Sequence, residues 1–398
     1  MEGNLEGLER LDKKYLINTL LELVRVPTHV PLGPDTLMEA DHPKLVKYVQ
    51  ETIRPKLHDI GAYEILEAPK NQLVVKMGKG TSDQSLLMMV YTPSQHANLM
   101  KDPFKPKISV PQGSEYNEPC VFGQGVSQNK AHMAVCLTIL KWLIEEDIDL
   151  KGTLYFGINN EGRSSHECTE KILATLPDRP AQALLAIGTD MKISIGNRGR
   201  VDVYVEVKGK ATHSSDPESG LSAIDGAYRV MERINNLEIN GNHPLLGKRQ
   251  LKVYQIVYDP VAPHTLPEKA KLTLDRRLLP GEEIEEAVQE VKEALSNLGP
   301  YEISVRQGVY MLPSLTERDA KIVAGLRDAG REVLGRQIPT YYSTSTFDAG
   351  GLTSQGIPTV MFGASGGSED ILGDDYVAIR ETEEEAEILS RLILDLLC

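Results

Sequence analysis

Apolar and polar residues follow each other along this chain in two rhythms. Between Leu11 and Val26 the apolar positions Leu16, Leu20, Leu23 and Val24 recur at helical spacing, and Pro27 ends the run. Lys44 to Leu57 and Asn129 to Glu146 carry the same helical period. Gln72 to Met77, Leu86 to Tyr91 and Thr153 to Ile158 are short apolar runs of strand length. This interleaving predicts a three-layer α/β domain. Near Gly196 the rhythm changes. Val201 to Val207 (VDVYVEV) alternates as a half-buried strand does. A helix over Ser222 to Asn236, strands over Leu251 to Tyr258 and Lys271 to Leu278, a helix over Glu282 to Asn297 and a strand over Glu302 to Gln307 complete the order β-α-β-β-α-β. That order is an open-faced α+β sandwich of the ferredoxin-like kind. After Pro313 the first rhythm returns, with a strand at Thr359 to Phe362 and a closing helix at Glu381 to Leu397. The chain therefore reads as a discontinuous α/β domain, residues 1–195 and 312–398, with a small domain at 196–311 inserted into it.

Length alone favours two domains, since 398 residues exceed one average core. A hydrophobic content of 41% and a charged content of 25% are ordinary for a globular protein. The net charge of -14 argues against nucleic acid or an anionic membrane as partner, because both are polyanions. The four cysteines, Cys120, Cys136, Cys168 and Cys398, show no paired spacing, which points to a reducing compartment. The N-terminal MEGNLEGLERLDKKYL lacks the apolar core of a signal peptide, and no apolar run reaches membrane-spanning length. A soluble cytoplasmic protein is the expectation.

Four segments carry a resemblance. KGKATHSSDPESGLSAIDGA (Lys208 to Ala227), DRRLLPGE (Asp275 to Glu282), GIPTVMFGASGG (Gly356 to Gly367) and GQGVSQNKAHMA (Gly123 to Ala134) occur in the order and spacing of the zinc aminoacylase and carboxypeptidase family. That family includes acetylornithine deacetylase, succinyl-diaminopimelate desuccinylase and aminoacylase. GNRGRVDVYVEVKG and DRRLLPGE are most similar to its selenium-metabolism-type hydrolases. The resemblance covers nearly the whole chain. It implies a catalytic domain with a mixed sheet, an inserted lid and dimerisation domain, a homodimer formed through that lid, and a small-molecule substrate.

The family's chemistry uses five protein ligands for two zinc ions, plus a glutamate base; zinc takes imidazole nitrogen and carboxylate oxygen and activates water at an open position. This chain departs from that pattern at most of the matching places. The His-x-Asp ligand motif falls on Tyr91 and Pro93, and proline has no side-chain donor. The bridging aspartate is Gln128, and the paired glutamates become Asn160 and Glu161. An amide at position 160 is no general base near neutral pH. The next acidic ligand is Asp190, or in another register Thr189. The final histidine falls on Ile371, with Asp370 beside it. No cofactor is expected, though Glu161, Asp190 and Asp370 leave open a single weakly held divalent cation.

Polar groups nevertheless remain. His213 matches the lid histidine that the family uses across its dimer to stabilise developing oxyanion charge. Arg277 matches a lid arginine able to bind a carboxylate, and His264 stands where the family carries a substrate-binding asparagine. Asp348 matches an aspartate near the active site, but an arginine two residues on is replaced by Gly350. His132 is one helical turn past Gln128, on the same face, and can act as acid or base near neutral pH. Tyr91 can fill the vacated metal volume. The candidate catalytic set is therefore His132, Glu161, His213 and Tyr91, with Gln128, Asn160, His264, Arg277 and Asp348 binding substrate. Three readings stay open: a hydrolase-like enzyme on a C–N bond without the dizinc centre, a non-catalytic binding or partner subunit, and a metal-independent isomerase or lyase on the same scaffold.

Overall fold

The structure is a computed structural model that describes residues 8–30, 38–62, 64–96, 100–112, 116–161, 165–367 and 374–398. The chain divides into two compact units, one of residues 1–196, 315–342 and 351–398, the other of residues 197–314 and 343–350.

The first unit is built on a mixed sheet. Its centre is four parallel strands in the order Thr359–Phe362, Gln182–Ala186, Ser85–Tyr91, Thr153–Asn159. Gln72–Gly78 continues the sheet antiparallel to Thr153–Asn159, and Ile65–Ala68 pairs antiparallel with it in turn. At the other side Ile193–Asn197 runs antiparallel to Thr359–Phe362. Side chains on the central strands are buried on both faces, as strands between two helical layers must be. Leu86, Met88 and Val90 point into one core with the helices Lys13–Val24, Ala131–Glu145 and Ile379–Leu397. Leu87 and Met89, of opposite parity, face the helix Glu167–Thr175 through Ile172. These are the three layers. Asp12 starts the first helix by accepting the Tyr15 N–H at 2.8 Å, and Gly335, at φ 66°, ends the helix Lys321–Leu334 in the left-handed conformation that glycine tolerates.

The second unit is an antiparallel sheet in the order Gln250–Asp259, Lys269–Leu278, Gly199–Lys208, Glu302–Met311, covered by the helices Ala223–Asn235 and Ile284–Ala294. The alternation that predicted its first strand is kept. Val201, Val203, Val205 and Val207 are buried against Leu272, Leu274, Val230 and Val291. Ser222 caps the first helix, accepting the Asp225 N–H at 3.4 Å. Gln250–Asp259 is an edge strand, and it exposes Tyr254, Ile256, Val257 and Tyr258.

The helix expected over Lys44 to Leu57 is real but interrupted. Pro43–Tyr48 and Arg54–Asp59 are α-helical, and a wider π turn, Val49–Ile53, joins them. Pro55 has no N–H to donate to the preceding turn, which is where an ideal helix would need one.

Candidate active site

Open α/β sheets bind ligands outside the C-terminal ends of their parallel strands. In the first unit that edge collects several of the residues singled out above. Tyr91 ends its strand half-buried, directly beside Asn159 in the parallel register. The next residue, Thr92, takes the Asn159 carbonyl through its N–H at 2.9 Å, donates its hydroxyl to the Asn160 side-chain oxygen, and gives its own carbonyl to the Asn129 amide at 3.1 Å. Gly125, at φ 85°, opens a single π turn, Val126–Lys130, that precedes the long helix and carries the half-buried Gln128.

Asn160 is fully buried. Its amide donates to the carbonyls of Lys70 at 3.1 Å and Asn71 at 2.8 Å, so both its hydrogens and its oxygen are committed to the protein. The residue expected to bind substrate is instead a three-way tie between a strand end, the 69–72 turn and Thr92. Glu161 is buried as well; its N–H reaches the Asn159 side-chain oxygen at 2.6 Å and its carboxylate accepts the Cys168 N–H at 3.2 Å. Cys168 lies in the first turn of the helix Glu167–Thr175, where a carboxylate is favoured by the unpaired amides.

His132 has no exposed surface. Its Nδ1 lies 2.9 and 3.0 Å from the two carboxylate oxygens of Glu385, which is also fully buried, and its Nε2 lies 3.4 Å from the Ser127 carbonyl. Glu385 also accepts the Ala364 N–H at 2.8 Å. Gly363 makes room for the ring: a Cβ there would stand 2.5 Å from His132 Cε1. The imidazole expected to face substrate thus joins two helices through a buried carboxylate, and the pair ties Ala131–Glu145 to Ile379–Leu397.

The π turn is held by groups that sequence reading passed over. Asp375, buried, accepts the Gly125 N–H at 2.6 Å, the Ser127 N–H at 3.2 Å and the Ser127 hydroxyl at 2.7 Å. Burial raises its carboxyl above the ordinary range, while these donors and Lys130 pull the other way. Lys130, also buried, donates to the carbonyls of Val26 at 2.9 Å and Val24 at 3.4 Å, at the end of the helix Lys13–Val24. Burial pushes its ammonium down to about 7, against the pull of Asp375.

Tyr91, Pro93, Gln128 and Asn160 stand at the places where the resemblance expects imidazole or carboxylate. Asp190 is exposed, with Lys192 at 3.7 Å, and its neighbour Thr189 exchanges hydrogen bonds with the Gly363 backbone. Among the described residues no three His, Cys, Asp or Glu side chains come together as metal ligands. Asp370 and Ile371 lie outside the described residues.

In the second unit the structure brings two predicted residues together. Thr212–His213 pairs with Thr265–Leu266, and the His213 and His264 rings lie 6.0 Å apart, both exposed. His213 Nδ1 receives the Ser215 backbone N–H at 3.2 Å and stands 2.7 Å from its hydroxyl. A backbone N–H can only donate, so Nδ1 accepts and the neutral ring carries its proton on Nε2. Arg277 is held by Asp275 at 2.8 Å and donates to the Thr346 hydroxyl at 2.6 Å. Asp348 is buried in the same 343–350 segment, within hydrogen-bonding or charge contact of its surroundings.

A parallel-centred α/β domain interrupted by a ferredoxin-like domain, with polar residues gathered at the strand ends, defines a two-domain α/β scaffold. A family model described as a peptidase dimerisation domain matches residues 195–302. The chain is similar to members of the acetylornithine deacetylase and succinyl-diaminopimelate desuccinylase-like metallopeptidase family, M20. It is 24% identical over 250 residues to an uncharacterized metallohydrolase of Methanocaldococcus jannaschii, covering 54% of this chain and 59% of that protein. It is 23% identical to an N-formyl-4-amino-5-aminomethyl-2-methylpyrimidine deformylase of Halalkalibacterium halodurans, covering 88% and 87%. A solved Bacillus subtilis structure, described as a dinuclear metal binding peptidase of the M20 family, has the same fold with a TM-score of 0.63 at 14% identity, covering 97% and 98%. The chain spans less than two thirds of the length of the first curated relatives it matches. No helix among the described residues is long and apolar enough to cross a membrane.

Proposed function

We propose that this protein is a hydrolase acting on a C–N bond of a small amide- or amino-acid-like molecule, with polar side chains standing where the family places its two metals. The observation that carries the reading is the His213 anchor. Ser215 engages Nδ1, so the neutral ring carries its proton on Nε2 as a hydrogen-bond donor, the form needed to receive negative charge on a carbonyl oxygen. His264 beside it supplies a second imidazole. His132 and Asn160 are enclosed, while Tyr91 and Gln128 at the strand edge are half-buried. Names of relatives support the bond class: a deformylase, succinyl-diaminopimelate desuccinylases and dipeptidases.

The test is turnover by purified protein on a panel of N-acyl amino acids, N-formyl amines and dipeptides, with and without chelator. Turnover that survives chelation and falls about a hundredfold in His213→Ala is the expected result. A competing reading, a non-catalytic partner subunit, is favoured by Asn160, whose amide is fully consumed by structural hydrogen bonds at the position of the lost base. Absence of turnover across the panel would decide for it. A second copy of the chain is the partner proposed for the inserted domain, whose edge strand and first helix leave Tyr254, Ile256, Tyr258 and Tyr228 exposed.

A further inference from the structure

Two basic groups lie against the Phe104 ring in the first unit. His29 stacks on its ring, centroids 5.2 Å apart and planes 25° from parallel. The Lys130 ammonium lies 5.5 Å from the same centroid. A third basic group, Lys44, places its Nζ 3.3 Å from His29 Nε2. Burial, and after it the charges of Lys44 and Lys130, hold the His29 imidazole below the ordinary value. Neither His29 nor Lys44 has a carboxylate at ion-pair distance among the described residues. Among the same residues Lys130 has Asp375 as its one acidic influence, and that carboxylate is already gripped by Gly125 and Ser127.

In a chain of net charge -14, three neighbouring basic groups with so little acid to meet them are not a solvated surface average. Basic groups that give up water without a counter-ion carry a desolvation cost that an anion would remove. Donors for an anion remain. With Lys44 donating to Nε2, His29 carries its proton on Nδ1, and that atom has no hydrogen-bond partner among the described residues. Lys44 keeps further ammonium hydrogens, and Lys130 has one beyond the two given to Val24 and Val26. The position also matters. His29 pairs with Ser94 in parallel register, and Ser94 returns its N–H to the Thr28 carbonyl at 3.1 Å. The basic cluster therefore flanks the segment just after Tyr91 and Pro93, where the family's first metal ligands would stand.

We infer that His29, Lys44 and Lys130 form a binding site for a small oxyanion, either a carboxylate or a phosphate. This does not depend on the proposed reaction, because the site is defined by charge and donors alone. The full-length protein is titrated by calorimetry at low ionic strength with inorganic phosphate and, separately, with succinate, at about pH 6 and about pH 8. Saturation with one anion per chain is expected, tighter at the lower pH because a bound anion favours the protonated His29. Lys44→Met is expected to weaken binding about tenfold, and His29→Gln to reduce its pH dependence, the remainder belonging to Lys130, whose ammonium is pushed down to about 7. Saturation by phosphate alone assigns the site to phosphate, by succinate alone to carboxylates, by both to oxyanions generally. A reading that needs no variant comes from amide chemical shifts, which should move at residues 28–30, 44 and 94. No saturation by either anion, shifts confined to other regions, or undiminished binding by a folded Lys44→Met/His29→Gln double variant overturns the inference.

Discussion

Replacing Asn160 by aspartate changes one NH2 to an oxygen and almost nothing in shape, so it isolates what the amide does. In the native protein that NH2 donates to the carbonyls of Lys70 and Asn71 at 3.1 and 2.8 Å, with the residue fully buried. The two lost hydrogen bonds are each worth about 1 kcal/mol net, and leaving two buried carbonyls facing a carboxylate oxygen adds about 1–3 kcal/mol, so Asn160→Asp should cost about 3–5 kcal/mol near neutral pH. The sign of its pH dependence follows from the same geometry. Carbonyl oxygens disfavour the ionised form, so the folded pKa of the new carboxyl lies above its unfolded value of about 3.9. The penalty is then largest above the folded pKa and shrinks as pH falls, because the introduced carboxyl, once protonated, can donate to one of the two carbonyls. Urea unfolding at about pH 8 and about pH 5 measures both, with Trp142 as the probe: it is the chain's one tryptophan and is buried in the core of the same unit. A loss below about 1 kcal/mol at the higher pH, or a loss that grows on acidification, would refute the assignment of Asn160 as a structural tie.

Lys130→Met should abolish a pH dependence. The native ammonium is pushed down to about 7, so between there and the unfolded value of 10.5 the unfolded chain binds a proton the native one does not. Stability of the wild type should rise with pH through that window by up to about 1.4 kcal/mol per unit, and a variant keeping the same slope would show that Lys130 is not its source. His132→Ala or Glu385→Ala alone should each cost about 3–5 kcal/mol, with the double variant costing less than the sum; strictly additive losses in urea melts would mean the two are not coupled. Ile256→Lys places a charge in the middle of the exposed edge strand and should shift sedimentation from dimer to monomer with the fold intact; an unchanged sedimentation coefficient would remove that strand from the interface.

Much of the architecture could be read from residue order because its signals are local. VDVYVEV alternates over a full strand, and the helices Ala223–Asn235 and Ile284–Ala294 carry their apolar positions on one face. Gln182–Ala186 escaped that reading for a physical reason. It is five residues long, buried at every position, and so shows neither the alternation of a half-buried strand nor the length of a helix. The π turn at Val49–Ile53 was hidden because the apolar spacing on either side of it stays helical. At the site, the departures at Tyr91, Gln128 and Asn160 lie in the motifs themselves and were visible there. Their partners were not: Thr92 bonds Asn160 across 68 positions, Asp375 holds Ser127 across 248, and His132 meets Glu385 across 253. No local pattern marks which distant carboxylate will close on a given helix.

Those long-range partners change what the departures from the family pattern mean. A buried polar side chain without partners is costly, so polar residues at these places need hydrogen bonds of their own. Asn160 is tied to Lys70, Asn71 and Thr92, and His132 to Glu385, each by hydrogen bonds that a zinc ligand set does not require. The same edge keeps basic groups, Lys130 inside and Lys44 with His29 beside it. The polar character at these strand ends is therefore divided between two tasks. One set of residues holds the loops in place, and the cationic set offers the charge complementarity that an anionic small molecule would use.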